Sequence, residues 1–188
     1  MTVPSSLVVR IRRAARHQGA FHLPDGQVLD EYFDQYLLAA DPALLHDVAA
    51  EMHRRMHPDT EVLVGLELGG VPLAVALSAA SGLPAGFLRR EAKPYGTFRQ
   101  LEGHPVEGRR VAMVDDVVRS GAQALRAAAL LRRLGADVTT ALCVLDRNLG
   151  GAPRLSGERI ALRSLLDAAD LTSGSLVEPT DAWRPVTG

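Results

Sequence analysis

The chain has 188 residues, 47% of them hydrophobic, a length that suits one domain with a substantial core better than two. Its 21 basic and 22 acidic residues leave a net charge of −1, so composition favours neither a nucleic-acid nor an anionic-membrane partner. No apolar run reaches the ~20 residues that span a bilayer, the arginine-rich start lacks the core of a secretory signal, and the lone Cys143 excludes an internal disulfide. We therefore expect a cytoplasmic protein.

One basic residue differs in kind from all the others. Lys93 is the only lysine, and every other basic residue is arginine. A lysine is a compact point charge on a flexible stem, which the planar guanidinium of arginine does not replace. The sequence therefore marks Lys93 as a candidate functional residue.

The first 60 residues are predicted to be mainly helical and peripheral. A helix with a serine cap begins at Ser5 and stops at Gly19, with an apolar stripe along one face. A second helix is capped by Asp41, with Pro42 at its first position. Between the two helices lie a turn at residues 24–26 and the aromatic pair Tyr32 and Phe33.

From Glu61 onward, apolar strands alternate with helices. The predicted strands are EVLVGLE, LPAGFLR, RRVAMVD and DVTTALCVLD, and the helices between them are GGVPLAVALSAASG and SGAQALRAAALLRRLG. The second of these helices is predicted to be capped by Ser120 and closed by Gly135. Apolar strands joined by helices predict an α/β fold, a parallel twisted sheet flanked by helices. We expect a single domain over residues 1–188, with an N-terminal region at about 1–60 and the sheet core at about 61–165.

Two adjacent carboxylates, Asp115 and Asp116, end the third predicted strand. A short turn containing Ser120 and Gly121 follows and opens a helix. Ligands of such folds bind beyond the carboxyl ends of the strands, and the free N–H groups of a helix start can bind an anion. The unit suits a ligand with one phosphate and a polyol or a magnesium ion beside it. The alternative is an ordinary strand-to-helix turn with Asp116 near the cap.

A polar stretch of about 20 residues, RREAKPYGTFRQLEGHPVEG, separates the second and third strands. It contains Arg89, Arg90, Lys93, Tyr95 and Arg99. A mobile cationic loop near an acidic site would suit a polyanionic leaving group such as pyrophosphate. The alternative is a solvated charged loop.

Two further candidates are weaker. His53 and His57 stand four residues apart on a predicted helix, but neither a glutamate of the zinc-protease type nor a third ligand accompanies them. Cys143 sits among apolar residues in mid-strand and is predicted to belong to the core. The proline-containing tail around Trp183 suggests no function.

Several of these motifs together resemble the type I phosphoribosyltransferases. VAMVDDVVRSG looks like their phosphoribosyl-pyrophosphate signature, and FLRREAKPYGTFRQLEG is similar to the mobile loop of the orotate phosphoribosyltransferases. LDEYFDQY, ELGGVPLA and VLDR fall where those enzymes have an aromatic wall, a second glycine turn and an orotate-binding arginine. The resemblance spans about residues 21–147. It implies their fold, with the N-terminal region as a small hood.

The resemblance implies a role for each matching residue. Lys93, Asp115 and Asp116 would be catalytic, with the doublet receiving the ribose hydroxyls and Lys93 stabilising the leaving pyrophosphate. The donor would be bound by Arg89, Arg90, Lys93, Tyr95, Asp115, Asp116, Val117, Val118, Arg119, Ser120, Gly121, Ala122 and Gln123. The acceptor, orotate, would be bound by Tyr32, Phe33, Arg119 and Arg147. An alternative for Arg147 is a surface ion pair with Asp146.

The implied reaction transfers a 5-phosphoribosyl group from phosphoribosyl pyrophosphate to orotate in pyrimidine biosynthesis. Magnesium would be held mainly by the pyrophosphate of the donor rather than by the chain. The partners implied are these small molecules and a second copy of the chain, in a homodimer whose subunits share active sites, with neither nucleic acid nor membrane.

The chain departs from the family pattern mainly in the acceptor half. The family usually has lysine or arginine at the position of Pro24 and serine at the positions of Asp25 and Leu29. It has threonine at the position of Arg119 and lysine at that of Arg90. Two other functions therefore remain open. One is transfer to a different small nitrogen heterocycle, and the other is a non-catalytic regulator that senses the donor.

Overall fold

The computed structural model describes residues 2–22, 28–93, 96 and 99–172, without the side chains of residues 22, 29, 30 and 172. The predicted turn at residues 24–26, the side chain of Leu29, Tyr95 and the tail around Trp183 lie outside the described residues.

A six-stranded sheet forms the centre of the molecule, in the order β5-β4-β3-β6-β7-β8. Its strands are β3 (Val62–Leu66), β4 (Ala85–Leu88), β5 (Leu101–Gly103), β6 (Arg110–Val118), β7 (Asp137–Asp146) and β8 (Ala161–Asp167). All neighbours pair in parallel except β5, which runs antiparallel to β4. The parallel sheet predicted from the apolar strands is confirmed. The edge strand β5 was not predicted, because only three residues of the polar loop form it.

Seven helices accompany the sheet within the described residues. They are α1 (Ser5–Ala15), α2 (Gln35–Ala40), α3 (Pro42–Arg55), α4 (Gly70–Ser81), α5 (Ala122–Arg133), α6 (Gly151–Gly157) and α7 (Ala168–Thr172). Residues of α1, α3 and α4 join the apolar cluster on one face of the sheet, and residues of α5 and α6 join the cluster on the other. Burial on both faces explains why the central strands are apolar throughout. No helix in the described ranges is long and apolar enough to cross a bilayer.

The N-terminal region differs from the prediction in two ways. The first helix ends at Ala15 rather than Gly19, has Pro4 at its cap without a side-chain hydrogen bond, and leads into an antiparallel hairpin of β1 (Arg16–His22) and β2 (Val28–Phe33). The region is also not wholly peripheral, because α3 packs on α4, β7 and β8. Its buried Leu44, Val48 and Met52 belong to the core, so the helix helps to cover the sheet.

The other two predicted helix caps have different outcomes. The Asp41 carboxylate accepts hydrogen bonds from the N–H groups of Ala43 and Leu44 at 3.0 Å, so the cap of α3 is confirmed. The predicted Ser120 cap of α5 is wrong. The capping position is Gly121, with φ +74°, and the first N–H groups of α5 receive no side-chain cap. Those donors are left for another partner.

Candidate active site

The acidic doublet lies within the carboxyl-terminal part of β6 rather than at its end, because the strand continues to Val118. Asp115 is only 5% exposed, whereas Asp116 is half-buried. The N–H of Asp116 donates to Asp115 Oδ1 at 3.0 Å, and the N–H of Val117 donates to Asp116 Oδ1 at 2.8 Å. Burial, and then the charge of Asp116, raise the pKa of Asp115 well above its ordinary value. The Asp115 carboxylate is thus held where water stabilises its charge poorly.

Two glycines allow the turn between β3 and α4 to approach the doublet. A Cβ on Gly69 would lie 2.2 Å from Asp116 Oδ2, and a Cβ on Gly70 would lie 2.1 Å from the Val114 carbonyl oxygen. Both distances are far inside van der Waals contact, so a larger residue at position 70 requires displacement of the β6 backbone, and one at position 69 requires displacement of the Asp116 side chain. The ELGG motif therefore brings a second strand end against the carboxylates.

The segment after the doublet surrounds a small cavity at the start of α5. The cavity has a volume of about 240 Å³ and is lined by Asp115, residues 117–124 and Arg126. Gln123 Nε2 lies 3.5 Å from Asp115 Oδ2, which ties the helix start to the doublet. Free N–H groups, a helix dipole and arginine side chains on one small cavity suit a phosphate group.

A second glycine contact fixes the backbone around this small cavity. Gly121 packs against Gly151, since a Cβ on Gly121 would be 3.2 Å from the Gly151 Cα. Arg154 donates to the Ser120 carbonyl oxygen at 3.1 Å. The beginning of α6 therefore supports the loop from behind, a feature that the sequence analysis missed.

The first arginines of the polar loop lie beside a larger cleft. Arg89, Arg90, Arg126 and Arg133 line this cleft of about 580 Å³, together with Glu67 and Gln123. Glu67 Oε2 accepts a hydrogen bond from the Arg90 N–H at 2.7 Å. Gln123 and Arg126 line both this cleft and the smaller cavity, so the two spaces adjoin. Arg126 and Glu67 were not identified as site residues from the sequence.

Lys93 points to the edge of the sheet and not to the doublet. Its Nζ lies 2.7 Å from Glu102 Oε1 on β5. Its N–H also donates to the Arg99 carbonyl oxygen at 3.2 Å, so the two sides of the loop pair here. In this conformation the lysine is bound to a carboxylate of its own loop.

The hairpin supplies one accessible aromatic ring and one buried ring. Tyr32 packs against Phe21 with 5.5 Å between ring centroids. Burial raises the pKa of Tyr32, and the charges of Asp34, Tyr36 and Asp116 contribute in decreasing order. Phe33 is 3% exposed and packs in the core. Its ring has no free face for a ligand, so only Tyr32 remains a candidate for the aromatic wall.

Arg147 follows β7 and pairs with the hairpin rather than with Asp146. Its Nη1 lies 2.6 Å from Glu31 Oε1, and the other oxygen of Glu31 accepts from Arg16 Nε at 2.9 Å. Asp146 instead accepts from the Asn148 N–H at 2.9 Å. Glu31 and Arg16 were not expected at the site, because nothing in local sequence relates them to Arg147.

Cys143 lies directly beside Asp115 in the register of β7 and β6 and is fully buried. Burial raises the pKa of its thiol well above the usual value, so the predicted core role is confirmed over a nucleophilic one.

The chain is similar over most of its length to proteins named orotate phosphoribosyltransferase. It is 42% identical over 171 residues to the one from Nocardioides sp., which covers 91% of this chain and 96% of the relative. The crystal structure of Mycobacterium tuberculosis orotate phosphoribosyltransferase with Fe(III) dicitrate has a TM-score of 0.80 at 31% identity, covering 89% of this chain and 97% of that one. The structure of the M. tuberculosis protein with 5-phospho-alpha-D-ribosyl 1-diphosphate has a TM-score of 0.76 at 27% identity, covering 89% and 98%. No protein-family model matches.

Proposed function

The chain belongs to the orotate phosphoribosyltransferase family, and we propose that it transfers the 5-phosphoribosyl group of phosphoribosyl pyrophosphate to orotate. The products are orotidine 5′-monophosphate and pyrophosphate, a step of pyrimidine biosynthesis. One observation carries this proposal. The doublet of β6 continues directly into a phosphate-sized cavity at the start of α5, so a polyol and a phosphate can be held by consecutive residues.

The donor is bound by the end of β6 and the beginning of α5. Asp115 and Asp116 accept hydrogen bonds from the ribose hydroxyls, and charge-assisted bonds of this kind are stronger than neutral ones. The 5-phosphate lies in the cavity formed by Val117, Val118, Arg119, Ser120, Gly121, Ala122 and Gln123. This arrangement fixes the ribose on both sides of the carbon that reacts.

The leaving pyrophosphate is bound by Arg89, Arg90, Lys93 and Tyr95. Arg89 and Arg90 already line the cleft beside the phosphate cavity. As the bond to pyrophosphate breaks, the ribose becomes oxocarbenium-like and negative charge grows on the leaving oxygens. Lys93 stabilises that charge after leaving Glu102, so its effect is on the transition state.

The acceptor is bound between the hairpin and the end of β7. The planar Arg147 guanidinium can bind the orotate carboxylate through two hydrogen bonds, and the Tyr32 ring packs on the base. We do not assign Phe33 to the acceptor, because the core covers its ring. Arg119 is exposed and lines the phosphate cavity, which favours a contact with the donor over one with orotate.

Magnesium fits as a companion of the donor. In the part of the chain that the structure describes, no group of three or more His, Cys, Asp or Glu side chains could hold a metal ion. Mg²⁺ prefers oxygen ligands and is commonly bound through phosphates with one or two carboxylates. The pyrophosphate oxygens would therefore provide most ligands, with the doublet nearby. When bound, the ion neutralises pyrophosphate charge.

We also propose a cytoplasmic homodimer with shared sites. The free, buried Cys143 suits a reducing compartment. The Arg89–Arg90 cleft is open beside α5, and a loop from a second copy could reach it.

The test follows pyrophosphate release by purified protein with donor, magnesium and a panel of heterocycles. We expect release with orotate, and little release with uracil, which lacks the carboxylate. Release with a different heterocycle only would identify another acceptor and make the altered positions Pro24, Leu29 and Arg119 its determinants. Donor binding with no release for any acceptor would indicate a sensor of the donor.

A further inference from the structure

The Glu31 carboxylate forms ion pairs with two guanidinium groups, those of Arg147 and Arg16. Glu31 Oε1 lies 2.6 Å from Arg147 Nη1, and Glu31 Oε2 lies 2.9 Å from Arg16 Nε. The side chains of Arg16, Arg147 and Glu31 are only 17%, 18% and 23% exposed. Such pairs are screened less than surface pairs, and loss of one partner leaves the other charge poorly solvated.

The position of Glu31 matters because its side chain ends in a carboxylate, the group through which orotate would bind Arg147. A carboxylate of the protein already binds Nη1 of the guanidinium to which the proposed function assigns the carboxylate of orotate. Two carboxylates on one guanidinium repel each other, so orotate and Glu31 compete for Arg147. Arg16 offers Glu31 a second partner, and the loss of Arg147 therefore does not leave it unpaired.

We propose that Glu31 is an internal counter-ion that exchanges with the carboxylate of the acceptor on Arg147, while Arg16 retains Glu31 during the exchange. In the empty site, Glu31 spares Arg147 the penalty of a poorly solvated, unpaired charge. During binding, Glu31 lowers the net binding free energy that the orotate carboxylate contributes. After transfer, orotidine 5′-monophosphate still carries that carboxylate, so the return of Glu31 to Arg147 favours product release. This inference rests on the proposed function and adds a specificity-determining residue, Glu31, and a positioning residue, Arg16.

The exchange predicts opposite effects for two neighbouring variants. Glu31→Gln removes the competitor and should tighten binding of orotidine 5′-monophosphate. Arg16→Gln removes the alternative partner of Glu31, so Glu31 stays on Arg147. This variant should weaken binding of orotidine 5′-monophosphate. Arg16 influences Arg147 only through the Glu31 carboxylate, which the double variant Arg16→Gln/Glu31→Gln no longer has. The double variant should therefore bind like Glu31→Gln alone.

The experiment titrates orotidine 5′-monophosphate and uridine 5′-monophosphate calorimetrically into the wild type and these variants. The two ligands differ only in the carboxylate. We expect the dissociation constant of the first to change by about fivefold in each direction, the size of a typical coupling between contacting charges. That of the second should stay within about twofold. Asp47→Asn, which removes the same charge from the exposed Arg10–Asp47 pair, is the matched control and should change neither.

Different results overturn different statements. Equal affinity of Glu31→Gln, the variant without the competing carboxylate, for the two nucleotides would refute the carboxylate contact of Arg147, and with it the basis for orotate as the acceptor. A clear wild-type preference for orotidine 5′-monophosphate, with both single variants weakening it, would leave the function intact and refute the exchange. Equal changes for both nucleotides, with a lower unfolding temperature, would show that Glu31 only anchors the hairpin. A slower product-release step in Glu31→Gln would further support the exchange.

Discussion

At the scale of single residues, the site is built from charges that are partly or fully withdrawn from water. Asp115 is buried beside Asp116, Lys93 is bound to Glu102, and Arg147 is bound to Glu31. Each charge is already held by a neighbour or penalised by burial. We therefore propose that substrate binding rearranges existing interactions instead of adding new ones to free side chains.

Replacement of Lys93 tests its role in the chemical step. We expect Lys93→Ala to keep donor affinity within a few-fold but to lower single-turnover transfer by roughly 10²–10³, as loss of one transition-state contact does. Arg99→Ala removes an exposed charge from the same loop and serves as the control. Near-normal transfer by Lys93→Ala would show that the lysine only pairs with Glu102.

Replacement of Arg147 tests acceptor recognition. We expect Arg147→Ala to weaken orotate binding by about 1.5–3 kcal/mol, the range for hydrogen bonds to charged groups, and to leave donor binding nearly unchanged. Calorimetry with each substrate separately measures the difference. An equal loss for both substrates would contradict a specific carboxylate contact and indicate that the arginine holds the hairpin in place.

The raised pKa of Asp115 makes the stability of the fold depend on pH. Because the folded-state pKa lies above the unfolded value, the folded protein holds more protons between the two values, and the free energy of unfolding falls as the pH rises through that window. Asp115→Asn should therefore be more stable than the wild type near neutral pH, by on the order of 1 kcal/mol, and lose transfer activity. The gain should shrink at acid pH.

Urea denaturation at several pH values measures this prediction. Asp137→Asn removes an exposed carboxylate at the start of β7 and controls for the change in net charge. A stability gain for Asp115→Asn that does not depend on pH would mean that the buried charge is not its origin.

At the scale of elements, strand ends and helix starts place the functional groups. The end of β6 carries the doublet, and the uncapped start of α5 leaves N–H groups for a phosphate. The turn after β3 closes against the doublet through Gly69 and Gly70. The positions of these elements depend on backbone contacts that only glycine permits.

A methyl group added at Gly70 tests this close approach. Gly70→Ala should destabilise the protein by about 1–3 kcal/mol, the usual range for overpacking, and should weaken donor binding because β6 must shift. Gly157→Ala is the matched control, since a Cβ there meets nothing within 4 Å. Equal unfolding free energies for the two variants, by chemical denaturation, would contradict the tight packing.

At the scale of the whole molecule, one sheet separates two apolar layers, and the hairpin lies over the site. The contact between Arg147 and Glu31 joins the end of β7 to the hairpin, so the hood and the sheet meet at the proposed acceptor site. The first 60 residues therefore contribute to both core and site, and we propose that residues 1–188 act as one domain.

Shared active sites can be tested by mixing inactive subunits. Lys93→Ala and the double variant Asp115→Asn/Asp116→Asn should each be inactive, and subunit exchange should restore part of the activity if one site draws its loop from the other chain. Sedimentation checks the dimer, and differently tagged chains verify the exchange. Absence of recovery in verified mixed dimers would mean that each chain completes its own site.

Local signals in the sequence determined most elements of the sheet core and located the residues to which we assign donor binding. The alternation of apolar strands and helices predicted the parallel sheet, and Asp41 with Pro42 predicted the start of α3. The doublet and the following turn could be located because their residues are consecutive, and hydrogen bonds along the chain hold them together. Motif resemblance then named the family, which the similarity to relatives confirmed.

Tertiary structure alone decided the features that join distant parts of the chain. Local patterns did not show that Arg16 begins a strand, that Phe33 is buried, or that β5 pairs with β4. Glu31 and Arg147 are 116 residues apart, and their contact arises because the hairpin meets the end of β7. Periodicity and capping are properties of neighbouring residues, whereas the pairing of buried charges depends on which surfaces pack together. For that reason, the sequence resemblance named candidate acceptor residues such as Arg147, but only the fold showed that Arg147 pairs with Glu31.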